Sequence, residues 1–170
     1  MRAKENFHRI LQFSPVSAKL KLYKGNLGGI VMERRDKINY YLDIAETVSA
    51  RGTCLRRNFG AIIVKNQMII SDGYNGTPAG FENICEDETG TTKSYVLHAE
   101  ANAITKVARS NNSSNGATLY VTASPCVECA KLIIQAGIKR VVFNELYRIT
   151  DGIDLLKRAQ IECIHINNLE

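Results

Sequence analysis

Four residues can do chemistry by their types and spacing. In "YVLHAEANAI", residues 95–104, His98 and Glu100 interrupt an apolar run two positions apart. After 24 further residues comes "PCVEC", with Cys126 and Cys129 in a C-x-x-C. One imidazole and two thiolates make three ligands for a tetrahedral zinc and leave the fourth position to water, the arrangement of a catalytic rather than a structural site. Glu100 lies two residues beyond the histidine, so on one helical turn its carboxylate stands beside the open position without filling it. There it can take a proton from the metal-bound water and return it elsewhere, as a general base and then an acid. A lone histidine at a helix start is usually structural, and a lone C-x-x-C is ambiguous between metal, redox and packing. With average residue usage, the whole pattern arises by chance roughly once in 10⁵ such chains.

These side chains must be held by regular elements, and the periodicity supplies them. Residues 34–49 place Ile38, Tyr41, Leu42, Ala45 and Val48 at helical spacing. The apolar runs 59–64 and 68–74 flank Lys65-Asn66-Gln67, a hairpin pattern. A polar loop with Gly and Pro follows. A helix is expected from about His98 to Arg109, then a strand in "ATLYVTA", a helix in "CVECAKLIIQAG" closed by Gly137, and a strand in "KRVVFN". A last helix at about 152–159 and a strand in "IECIHI" complete the set. Strands alternating with helices after an initial hairpin imply an α/β layered domain whose later strands are parallel or mixed. Both ligand groups fall at expected helix starts, where the unpaired N–H groups and the dipole favour thiolate over thiol.

The chain of 170 residues has the length of one domain. Its 45% hydrophobic and 23% charged content is that of a soluble globular protein. No run has the apolar length of a membrane span, and the N-terminus lacks a secretory signal pattern. The net charge of +5 is concentrated at one end: residues 1–31 carry six basic side chains and one acid, and the remaining 139 hold sixteen of each. That balance removes the basic face a nucleic-acid binder needs. Residues 1–31, ending near Gly28-Gly29, are expected to form a basic extension outside the fold, with 32–170 as the catalytic domain. Five cysteines without a secretory signal point to a reducing, cytoplasmic setting, where thiols bind metal or catalyse more often than they pair.

With these residues assembled, the chain resembles the cytidine/deoxycytidylate deaminase superfamily, whose signature is H-x-E…P-C-x-x-C. Within it the chain looks most like the deoxycytidylate (dCMP) deaminases and the related competence-associated deaminases. The resemblance runs over about residues 34–166, through "RRNFGAIIV", "GYNGTPAGF", "HAEANAI", "TLYVTASPCVECAKLIIQAGIKRVVF" and Tyr147. It implies a three-layer α/β/α fold around a five-stranded mixed sheet. It implies hydrolysis of dCMP to dUMP and ammonia, feeding thymidylate synthesis, with one catalytic Zn²⁺ per chain. It also implies a homo-oligomer, often a hexamer, activated by dCTP and inhibited by dTTP with Mg²⁺.

A small-molecule deoxynucleotide substrate needs a sugar reader and a phosphate reader. Asn75, in the turn after the hairpin, can hydrogen-bond a sugar hydroxyl; the plainer reading is a β-turn asparagine. Arg56 and Arg57, just ahead of the first strand of the hairpin, can reach a phosphate bidentately, and Arg109 and Tyr147 are further candidates, Arg109 through a neighbouring subunit. Some members of the dCMP branch hold a second, structural zinc with cysteines in the regions of Cys54 and Cys85. The segment 85–98 supplies no further Cys or His before His98, so two reduced, partly buried thiols are expected there instead. Cys163 reads as core. The rival readings are another cytidine or nucleoside deaminase, a tRNA adenosine deaminase, and a non-catalytic zinc-binding accessory protein. The neutral core disfavours the tRNA enzyme, and the intact Glu100 disfavours the accessory.

Overall fold

The computed structural model describes residues 22–24, 30–32 and 34–168. The chain divides into two units, residues 1–36 and 37–170. In the first, β1 (Leu22–Lys24) pairs antiparallel with β2 (Ile30–Met32), a pairing the sequence analysis did not anticipate. The expectation that 1–31 forms an extension falls mostly on residues outside those described.

The second unit carries the alternation read from the sequence: α1 (Lys37–Ser49), β3 (Gly60–Lys65), β4 (Met68–Tyr74), α2 (Ala99–Ala108), β5 (Thr118–Ala123), α3 (Val127–Gln135), β6 (Arg140–Glu145), α4 (Asp151–Arg158) and β7 (Glu162–His165). The β3–β4 hairpin turns on Asn66 and Gln67, both at positive φ (50° and 64°), the two-residue turn whose twist matches that of its strands. The strand order is β4-β3-β5-β6-β7. The three strands from the hairpin side are antiparallel, whereas β5, β6 and β7 run parallel, because helices rather than tight turns connect them.

Alternate residues of the strands face opposite layers. Ile62, Val64, Tyr120 and Val142 pack with Tyr41, Leu42 and Ala45 of α1. Ala61, Ile63, Leu119, Val121, Val141 and Phe143 face the other way, onto Ala99 and Ala103 of α2, Ala130 and Ile133 of α3, and Ile153 and Leu156 of α4. The result is the expected three-layer α/β/α arrangement, with one helix on one face and three on the other. Burying the large aliphatics of the sheet stabilises it by about 1.5–3 kcal/mol per side chain before entropy is counted. No helix among the described residues is long and apolar enough to cross a membrane.

Two helices owe their placement to features that bear on the site. The start of α2 lies on β4 at Gly73, where an added methyl would sit 2.2 Å from the Ala99 carbonyl oxygen and 2.5 Å from the Ala103 nitrogen. Only glycine permits that approach. Asn102 Nδ2 donates to the Tyr74 carbonyl (2.9 Å) and Ser71 Oγ to the Ala103 carbonyl (2.8 Å), fixing the helix along the strand. Gly76 and Leu97 exchange backbone hydrogen bonds of 3.1 and 2.9 Å, which sets the entry to α2. The polar segment between them, 77–96, forms a strap with its own Glu86–Thr92 bridge.

Candidate metal centre and substrate pocket

His98 is the N-cap residue of α2 and Cys126 that of α3, so two helix N-termini converge on one point. The convergence is at the carboxyl end of β5, the usual place for a site in an open α/β sheet. His98 Nδ1 lies 3.5 Å from Cys126 Sγ and 3.4 Å from Cys129 Sγ. A tetrahedral zinc with N at about 2.05 Å and S at about 2.3 Å requires N and S to be about 3.6 Å apart. The three donor atoms all lie within 4.8 Å of one another, and among the described residues they form the one such group of three. The donor set and its spacing fit zinc.

Electrostatics at the centre agree with that fit. The Cys126 thiol is pushed down to about 3, chiefly by its hydrogen bond with Cys129 and next by that with His98. The same hydrogen bond, with burial, pushes the Cys129 thiol up. Hydrogen bonding to Cys126 holds the His98 ring above its ordinary value. Glu100, in the first turn of α2, is buried (6% exposed), and burial raises its carboxyl above the usual carboxylate range. A desolvated carboxyl beside a cation site is poised to exchange protons.

The centre opens into a pocket of about 580 Å³, lined by Arg56, Arg57, Asn75, His98, Glu100 and Tyr147 among others. Most of the residues expected from the sequence therefore meet, but not in equal standing. Arg57 is already engaged: its guanidinium pairs with Glu145 at the end of β6 and lies 5.1 Å over the Phe59 ring. Arg56 is exposed, and among the described residues its guanidinium makes no hydrogen bond or ion pair. Asn75 is buried, with Oδ1 accepting from the Phe59 N–H (2.6 Å) and Nδ2 donating to the Arg57 carbonyl (2.8 Å). It holds the arginine segment and retains one N–H and one lone pair for a ligand. Tyr147 is placed by its backbone N–H, which donates to Ser124 Oγ at 2.8 Å.

Arg109 stands apart. It is the C-cap of the ten-residue α2, about 15 Å from the helix start, and does not line the pocket of its own chain. Arg148 does line it and was missed by sequence reasoning; its one signal was adjacency to Tyr147. Cys54 and Cys85 also depart from expectation. They are joined in a disulfide, Cα–Cα 5.1 Å, rather than standing as reduced thiols. The strap folds back so that Cys85, 31 residues away in sequence, lies against Cys54, and both are buried. Cys163 is partly buried against the main core, near the expected position.

Comparison with known proteins bears on the whole arrangement. The family model for the cytidine and deoxycytidylate deaminase zinc-binding region matches residues 35–145. The deoxycytidylate deaminase of Enterobacteria phage T4 is 36% identical over 173 aligned positions, covering 76% of this chain and 90% of that protein. ComE operon protein 2 of Bacillus subtilis is 39% identical over 121, covering 69% and 64%. The crystal structure of dCMP deaminase from cyanophage S-TIM5, in complex with dCMP and dUMP, superposes with a TM-score of 0.75 at 46% identity. It covers 79% of this chain and all of that one.

Proposed function

Since this chain belongs to the cytidine and deoxycytidylate deaminase family, we propose that its pocket binds dCMP through the phosphate, sugar and base and releases dUMP and ammonia. The enzyme is a zinc-dependent hydrolytic deaminase. One observation carries the reading: His98 Nδ1 lies 3.4–3.5 Å from the Cys126 and Cys129 sulfurs, at a pocket that the buried Glu100 and Arg56 also line, with no partner for the Arg56 guanidinium among the described residues.

In this reading His98, Cys126 and Cys129 hold the ion. Zinc supplies a water activated to a pKa near ~7 and a positive charge beside the reacting carbon. Glu100 would take one proton of that water and place it on N3 of the cytosine, where it stays; as the water oxygen bonds to C4, Glu100 would pass the second proton to the C4 amino group, so that the C4–N bond breaks, ammonia leaves and uracil remains. Burial serves this role by keeping the Glu100 carboxyl easy to protonate between the two deliveries. Asn75 turns its remaining amide N–H toward a sugar hydroxyl. Arg56, whose guanidinium has no partner among the described residues, pairs with the phosphate, and Tyr147 and Arg148 line the same mouth. Arg57, tied to Glu145, contributes mainly by bracing the segment. Arg109 can act only from another subunit's pocket. A homo-oligomer, Mg²⁺ with nucleotide effectors, and a cytoplasmic location belong to this proposal through the family resemblance alone.

The test is a substrate panel of dCMP, CMP, deoxycytidine and tRNA with the zinc-loaded protein. The reading expects dCMP to exceed deoxycytidine by at least about a hundredfold in kcat/KM, from one or two charge-assisted phosphate contacts. Equal rates on dCMP and deoxycytidine would overturn it.

A further inference from the structure

The strap residue Glu86 has a place that neither the metal chemistry nor core packing accounts for. It is a carboxylate of 7% exposure in the wall of the substrate pocket. It has no cation as partner among the described residues. Instead its two oxygens accept from backbone N–H groups of the segment ahead of β3: Leu55 N–H at 3.1 and 3.2 Å, and Arg56 N–H at 3.4 Å. Burying a carboxylate costs several kcal/mol unless hydrogen bonds compensate. Here the compensation comes from the loop ahead of β3, and that loop bears the arginines.

Other groups of that loop are tied as well. Cys54 is bonded to Cys85, the Arg57 carbonyl and the Phe59 N–H are held by Asn75, and the Arg57 side chain pairs with Glu145. The Arg56 guanidinium, with no hydrogen bond or ion pair among the described residues, lines the pocket. A long, exposed side chain binds an anion well only if its backbone is already fixed, since ordering backbone and side chain together costs conformational entropy. The Leu55–Arg56 peptide is the root of that side chain. The disulfide anchors the residue before it and Asn75 the residues after it; Glu86 alone among the described residues fixes the peptide itself.

We propose that Glu86 is the positioning residue for Arg56, and that through it the strap sets the enzyme's preference for a phosphorylated substrate. The proposal rests on the reading of Arg56 as the phosphate ligand. In Glu86→Gln one oxygen must serve two N–H donors while the amide turns its own N–H groups toward them, so the peptide is loosened without loss of side-chain volume.

The experiment measures kcat and KM for dCMP and for deoxycytidine with zinc-loaded parent, Glu86→Gln, Glu86→Ala and Arg56→Ala. Excess dithiothreitol is present, so that the Cys54–Cys85 bond does not substitute for the lost contact. The quantity read is the ratio of the two kcat/KM values. It does not depend on the fraction of active protein, so partial unfolding cannot imitate the effect. The expected result is a fall in the ratio of about tenfold in Glu86→Gln and more in Glu86→Ala, carried by KM for dCMP rather than by kcat. An unchanged ratio in both Glu86 variants, with a collapse in Arg56→Ala, overturns the proposal and leaves the phosphate reading standing. No change in Arg56→Ala overturns both. A proportional loss on the two substrates, or a ratio that rises because the carboxylate had been repelling phosphate, overturns the role given to Glu86.

Discussion

Gly152 and the Pro125 carbonyl are in such close approach that a methyl group on Gly152 would sit 2.1 Å from the Pro125 oxygen and 2.8 Å from the Cys126 carbonyl carbon. The first turn of α4 is thereby pressed directly onto the loop that presents Cys126. No side chain can yield, because the atoms met are backbone. Gly152→Ala should therefore push α4 away from the metal loop. We expect a loss of about 1–3 kcal/mol in a denaturation midpoint, the range of overpacking, together with weaker zinc retention against a chelator. An unchanged midpoint would show that the contact is slack.

Glu100 separates binding from chemistry. Glu100→Gln keeps the side chain's shape in its buried place but cannot accept a proton. Zinc content and fold should persist while turnover of dCMP falls by about 10²–10⁴, the usual loss with a general base. Turnover within tenfold of the parent would remove Glu100 from the proton path.

The thiol ligands test the metal centre itself. Cys129 is buried and Cys126 partly so, and both lie within hydrogen-bonding distance of the same His98 nitrogen. Cys129→Ala should lose the ion and activity together and lower the melting temperature, since metal binding energy is folding energy at such a site. Elemental analysis of the purified variant checks this; full zinc would refute the ligand set.

The two neighbouring arginines should no longer behave alike. Arg56→Ala should cost about ten- to a hundredfold in kcat/KM for dCMP, the loss of a charge-assisted contact. Arg57→Ala breaks an exposed pair with Glu145 and should cost much less, because exposed ion pairs contribute about 0–1 kcal/mol. Steady-state kinetics of both variants decide the matter, and the reverse ranking would exchange their roles.

Cys163 should be a slow thiol. Burial raises its value above that of a free cysteine, opposed only by the weaker attraction of Lys157. A raised acid constant means less thiolate at any given pH, so its alkylation curve should lie to higher pH than that of a free thiol. Peptide mass spectrometry after iodoacetamide treatment across a pH series reads this directly. A curve at or below the free-thiol position would contradict it.

The local features of this protein were readable without coordinates. Apolar spacing gave the helices and strands of residues 37–165 to within a few positions, because period 3.6 and period 2 are properties of one segment at a time. The candidate zinc set and Glu100 could be picked out for the same reason: two of the four lie two apart, two lie three apart, and each pair falls at a helix start. What lay beyond reach depends on contacts between distant segments. Arg56 and Arg57 are indistinguishable as neighbours in a string, and only Glu145, 88 residues from Arg57, separates the tied one from the free one. Cys54 and Cys85 read as separate thiols because nothing in their spacing reveals that the strap folds back. Arg109 lies on the same helix as Glu100, yet the helix is a rigid rod that carries its far end away from the pocket. The sequence by itself determined the layered fold, the metal and the class of reaction, whose signals are short-range and chemical. Tertiary structure decided which charged side chains are spent on the scaffold and which remain for substrate, because a guanidinium or carboxylate is free only when folding brings it no partner.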